Sequence, residues 1–93
     1  MRVMKLINVG HGNLVNADKV ISVISPEAAP IKRLIVDSRE GGKLIDATSG
    51  KKTRSVLVAE SGHVILSALN PETIQGRFND ENTNEKDVEN EQN

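Results

Sequence analysis

The chain has 93 residues, about the length of one small domain, with 12 basic and 13 acidic side chains and a formal net charge of -1. It has no cysteine and a single aromatic residue, Phe78, which excludes disulfides, zinc-thiolate sites and thiol nucleophiles and removes the aromatic platforms on which single strands stack. The balanced total hides an asymmetry: residues 1–78 carry a net +4 and residues 79–93 a net -5, so a basic body precedes an acidic tail.

The chain opens on MRVMKLINVGHGN, where Lys5, Asn8, Gly10 and His11 interrupt the apolar run before it reaches the length of a signal-peptide core. No later segment approaches the roughly 20 apolar residues of a membrane helix. With the absence of cysteine, these features lead us to expect a cytoplasmic protein that meets no membrane. Val3 to Val9 reads as a strand, and Gly10-His-Gly-Asn13 as a turn. A short extended piece follows around Leu14-Val15, then the β-branched run Val20-Ile-Ser-Val-Ile24.

Helical signals come next. Ser25-Pro26 is one cap-and-first-turn signal and Pro30 a second, because proline is tolerated in the first helical turn and not deeper. Ile31, Leu34 and Ile35 then recur at helical spacing until Gly41-Gly42. Lys32 and Arg39, seven residues apart, share an exposed face of this helix, with Arg33 nearby. They are open to two readings, a solvated helix face or part of a binding surface. Lys19, beside Asp18, is equally open.

Leu44 to Ala47 reads as a strand leading into TSGKKTR, residues 48–54, and Arg54 to Ala59 as the strand that leaves it. The pair is expected to form a hairpin with the loop at its tip. A Ser61-Gly62 turn, a strand from His63 to Leu69 and a capped helix from Asn70-Pro71-Glu72 to about Phe78 complete the body. The expected fold class is α+β, a small antiparallel sheet with one principal helix and a short C-terminal helix. The expected domains are a folded unit over 1–78 and a disordered acidic tail over 79–93, whose sole aliphatic residue is Val88. The strand runs at 20–24, 56–59 and 64–66 are near-continuously apolar, so both sheet faces need cover. Two helices are thin cover, which points to self-association.

Catalysis has little to stand on. His11 and His63 sit in a turn and at a strand start, with no ligand or nucleophile at a useful spacing, and Gly10-His-Gly12 lacks the third glycine of a dinucleotide fingerprint. The sequence therefore calls for no enzyme, cofactor, metal or small-molecule substrate. TSGKKTR is different, since Lys51, Lys52 and Arg54 place three cations within four residues, joined by the hydroxyls of Thr48, Ser49 and Thr53. Charge alone leaves two readings open, an ordinary solvated loop or a surface for phosphates. With so few aromatics, duplex DNA suits the second reading better than RNA. An acidic protein partner is a further alternative. Three cations hold a duplex only weakly, so such a loop needs repetition in an oligomer.

Four stretches, INVGHGNLV, VISVISPEAAPIKRLI, KLIDATSGKKTRSVLV and HVILSALNPETI, together resemble the RemA family of extracellular matrix regulatory proteins, over residues 3–78. The resemblance implies a small DNA-binding activator of bacterial biofilm-matrix genes, associated with the nucleoid and built as a ring-shaped homo-oligomer. In that family an arginine pair implicated in DNA binding follows LIDAT-x-G, at the positions of Lys51 and Lys52 here. Lysine keeps the charge but lacks the bidentate fork, so the implied role shifts toward phosphate contact rather than base readout. A second implicated arginine matches Lys19. The family's proline in AP-I-K-R matches Pro30, for which helix placement or subunit contact is the implied role. Lys51, Lys52, Arg54, Lys19, Lys32 and Arg33 are thus the expected DNA-binding residues.

Overall fold

The computed structural model describes residues 5–79. The acidic-tail expectation falls on residues outside this range from 80 onward. Strands β1 (Leu6–Asn8) and β2 (Leu14–Asn16) pair antiparallel as a two-stranded ribbon, with Ile7 opposite Val15. The turn between them needs three successive left-handed residues, Gly10, His11 and Gly12 (φ 116°, 57° and 79°). Two glycines meet most of that demand at no Cβ cost. A short 3-10 turn over Ala17–Lys19 then leads into β3 (Val20–Ile24).

Helix α1 (Ala29–Glu40) starts at the second of the two expected signals. Ala28 is its N-cap, Pro30 lies in the first turn, and Ser25-Pro26 forms part of the preceding turn instead. Its end is a Schellman closure: Gly42 takes φ 76°, Lys43 N–H donates to Ser38 O at 2.8 Å and Gly42 N–H to Arg39 O at 3.3 Å. Next come β4 (Leu44–Asp46), β5 (Ser55–Ala59), β6 (Val64–Ser67) and α2 (Pro71–Asn79). Asn70 Oδ1 caps α2 by accepting from Thr73 N–H at 2.9 Å.

The fold is α+β, with two helices and two sheets, but the larger sheet is mixed rather than wholly antiparallel. Its strand order is β3-β5-β6-β4, antiparallel except for the parallel pairing of β4 with β6. The expected hairpin between β4 and β5 is therefore corrected. The tight Ser61-Gly62 turn seats β6 against one edge of β5, and β3 occupies the other, so β4 can add only at the free edge of β6. The TSGKKTR segment is consequently a crossover that arches over the end of β6, and not a hairpin tip.

Alternation along the central strands divides the apolar side chains between two faces. On one face Val56, Val64 and Leu66 meet Ile31, Leu34 and Ile35 of α1. On the other, Leu57 and Ile65 pack with Ile7 and Val9 of the ribbon and Ile74 of α2. The second cover layer is tied down by polar contacts. Ser67 Oγ donates to Val9 O at 2.7 Å and Ser55 Oγ to Leu69 O at 2.6 Å, while buried Arg77 donates from Nη1 to Asn8 O at 2.7 Å. Lys5 Nζ reaches the Phe78 carbonyl in the last turn of α2, where a cation complements the helix dipole. The ribbon thus adds cover that two helices alone would not give, while Ile21 on β3 and Ile45 on β4 stay exposed.

Candidate nucleic-acid interface

The crossover begins at Ala47, whose N–H donates to Leu66 O at 2.9 Å, and ends at Arg54, whose N–H donates to Ser67 O at 2.8 Å. Both ends are thereby fixed to β6. Within it Asp46 Oδ1 accepts from the backbone N–H of Thr48 at 2.9 Å and from its hydroxyl at 2.6 Å. Ser49 and Gly50 turn the chain with φ 54° and 83°, and Lys51 N–H donates back to Thr48 O at 3.0 Å. The Thr48 hydroxyl bond, then the backbone bond, with Arg39 adding its charge, hold the Asp46 carboxyl below the usual carboxylate range.

Lys51, Lys52 and Arg54 are all exposed on this crossover. Among the described residues none of the three belongs to an ion pair. They are not equivalent, however. Lys52 and Arg54 line an open groove of about 230 Å³, closed on its other side by Ser25, Pro26 and Glu27 of the β3–α1 turn and by Asn70 and Pro71 at the start of α2. Lys51 lies outside that groove.

The structure brings the β3–α1 turn to the same end of the sheet as the crossover, since Ile24 pairs with Val56 near the start of β5. That turn leads into α1, where Lys32 and Arg33 are exposed and Arg33 Nε sits 3.5 Å from Asp37. Pro30 is exposed in the first turn of the same helix. Lys19 is elsewhere. It precedes Val20, which pairs with Ala59 at the opposite end of β5, roughly 13 Å along the strand. Its Nζ lies 2.9 Å from Glu60 Oε2, and that hydrogen bond and charge raise its pKa above the ordinary lysine value. One subunit therefore does not gather Lys19 and the crossover cations at one place.

Two residues that shape the site, Asp46 and Glu60, escaped the sequence reading, and Thr48 entered it only as a hydroxyl beside the cations. Asp46 and Thr48 form an Asx-type turn, for which Asp-x-Thr after an apolar strand is a recognisable signal. Glu60, the partner of Lys19, carries no local signal, being 41 positions away. The histidines stay ordinary. His11 is exposed in its turn, and His63 Nδ1 lies 2.7 Å from Ser61 Oγ. Among the described residues no cluster of His, Cys, Asp or Glu suits a metal, and no helix is long and apolar enough to cross a membrane.

Comparison with known proteins bears on what this surface serves. A family profile described as "Extracellular matrix regulatory protein A-like" matches residues 6–78, the whole described fold except its first and last residues. The chain belongs to the RemA-like family. It is 60% identical over 75 residues to a protein of Cyanothece, covering 81% of this chain and 82% of that one. It is 54% identical over 86 residues to a protein of Alkaliphilus metalliredigens, covering 92% and 91%. Both relatives bear the name "Putative regulatory protein". Membership and names support a regulatory role rather than an enzymatic one.

Proposed function

We propose that this RemA-like chain is a homo-oligomeric transcriptional regulator that holds duplex DNA by its phosphates through the Lys51–Arg54 crossover, repeated around a ring. In the same reading it acts in the cytoplasm, associated with the nucleoid, and activates extracellular-matrix genes. The observation that carries the proposal is a set of three exposed cations, free of carboxylate partners among the described residues, on a crossover fixed at both ends to the central sheet. Such cations release counterions from DNA without first giving up a protein partner. Lysines at 51 and 52 act as point charges, which suits backbone contact more than the paired recognition of a guanine edge.

Repetition is required because three cations per copy bind a duplex only weakly at physiological salt. The exposed edges of the sheet support such repetition. Ile21 on β3 is 67% exposed and Ile45 on β4 is 48% exposed, and these strands are the two opposite edges of the four-stranded sheet. Apolar residues on unpaired opposite edges suit a head-to-tail contact between copies, and such contacts form a ring when the rotation between neighbours closes. The crossover, Lys32 and Arg33 then recur around the assembly, and Lys19 from the far end of each sheet adds a second line of charge. The test is the Lys51→Ala/Lys52→Ala double variant. Retained fold and oligomeric mass with a loss of duplex binding in a mobility shift is the expected result. Unchanged binding across a salt titration would remove the crossover from the interface.

A further inference from the structure

Between β4 and the two lysines the chain reads Asp46-Ala-Thr-Ser-Gly50, and none of these residues carries a positive charge. Yet their hydrogen bonds run without a break from the sheet to the backbone of Lys51. Ala47 N–H is fixed to Leu66 O at 2.9 Å. Asp46 Oδ1 takes both the N–H and the hydroxyl of Thr48, at 2.9 and 2.6 Å. Thr48 is only 3% exposed, so its side chain is held by packing as well as by the carboxylate. Its carbonyl in turn accepts from Lys51 N–H at 3.0 Å, across the left-handed pair Ser49-Gly50.

We propose that Asp46 and Thr48 are positioning residues for the basic crossover: they hold Lys51 and Lys52 in the arrangement that meets phosphates, so that binding need not first order the loop. This rests on the reading that the crossover binds DNA. A loop ordered beforehand loses less conformational entropy on binding, and the affinity gained is lost when the order is lost.

The charge of Asp46 makes the proposal separable from electrostatics. A carboxylate beside a phosphate-binding loop repels DNA, so by charge alone its removal strengthens binding. Positioning requires the opposite sign when the acceptor is lost, and charge neutralisation without harm when the acceptor is kept. Asp46→Ala removes both the charge and the acceptor. Asp46→Asn removes the charge and keeps an Oδ1 that still accepts from Thr48. Thr48→Val keeps the shape and deletes only the hydroxyl, and Thr48→Ser restores it.

The experiment has two readouts on the full-length protein. Without DNA, amide exchange at Thr48 and Lys51, followed by NMR, is expected to quicken in Asp46→Ala and to stay near wild type in Asp46→Asn. Wild-type exchange in Asp46→Ala overturns the proposal whatever the DNA data say. With duplex at fixed salt, Asp46→Ala is expected to bind at least fivefold more weakly despite losing a negative charge. Thr48→Val should show a smaller loss, Thr48→Ser none, and Asp46→Asn binding equal to or tighter than wild type. Equal or tighter binding by Asp46→Ala, alongside lost binding by Lys51→Ala/Lys52→Ala, overturns the positioning role and leaves the DNA reading standing. If the lysine double variant binds as wild type, the DNA reading fails, and the positioning role for DNA fails with it. Should Asp46→Ala not fold, the Thr48→Val and Thr48→Ser pair carries the same comparison.

Discussion

Glu60 is the residue whose removal best asks whether the far end of the sheet belongs to the DNA surface. Its carboxylate holds Lys19 Nζ at 2.9 Å, with both side chains more than half exposed. To contact a phosphate, Lys19 must leave this partner, and an exposed pair of this kind is weak and screened by salt. Freeing Lys19 by Glu60→Gln is therefore worth at most about fivefold in affinity for each engaged subunit. It should also steepen the salt dependence by up to about 0.9 log units per log unit of salt for each new phosphate contact. The assay is fluorescence anisotropy of a labelled duplex over a salt series, with wild type, Glu60→Gln, Lys19→Ala and the double variant. Tightening by Glu60→Gln that disappears in the Lys19→Ala background is expected. Equal tightening in both backgrounds would mean only that a negative charge was removed, and no change in either would take Lys19 off the surface. The thermal midpoint should barely move, because the pair is exposed. Since the Lys19 pKa is raised above 10.5, the lysine stays charged at neutral pH, and its contribution is lost only as pH climbs through that raised value.

Further outcomes follow from the same geometry. Leu57→Ala empties a fully buried position at the centre of one core face and should cost about 2–5 kcal/mol in urea unfolding, whereas Val36→Ala, at an exposed position on α1, should stay under about 1 kcal/mol. Ile21→Asp or Ile45→Asp, placed on the two sheet edges, should lower the oligomeric mass in solution without altering the circular dichroism of the fold; an unchanged mass in both would take the edges out of the subunit contact. The Asp46 carboxyl, held below its ordinary value of 3.8, stabilises the folded state above that value and loses this contribution as pH falls through the lower folded value. Acid unfolding of Asp46→Asn should therefore show a shallower dependence on pH below about 4 than wild type, measured by urea midpoints.

Much of this architecture was legible locally. The β-branched run Val20–Ile24 is a strand with those same bounds, and the caps Asn70-Pro71 and Gly41-Gly42 mark helix ends where expected, because strand propensity and end-capping act over a few residues. Strand order was not legible. Whether β4 joins β5 or β6 depends on which edge is still free once the Ser61-Gly62 hairpin and β3 have taken both sides of β5, a long-range outcome with no local signature. The same distance hid the pairing of Lys19 with Glu60. For the candidate site, the three cations of TSGKKTR stood out by charge, and what the sequence did not disclose was their support. The loop is held by an acid that charge counting would set against them. The groove that takes Lys52 and Arg54 but not Lys51 is also lined by the β3–α1 turn and the start of α2, both remote in sequence.

The salt dependence of duplex binding tests the central claim most directly. One subunit offers at most six of the proposed contacts, Lys19, Lys32, Arg33, Lys51, Lys52 and Arg54, which sets a ceiling near -5.4 on the slope of log affinity against log salt, at about -0.9 per phosphate contact. A ring that presents several crossovers to one duplex requires a wild-type slope clearly steeper than this, and a markedly shallower slope for Lys51→Ala/Lys52→Ala at unchanged oligomeric mass. A wild-type slope within the single-copy ceiling, or a double variant that keeps the full slope, would contradict it.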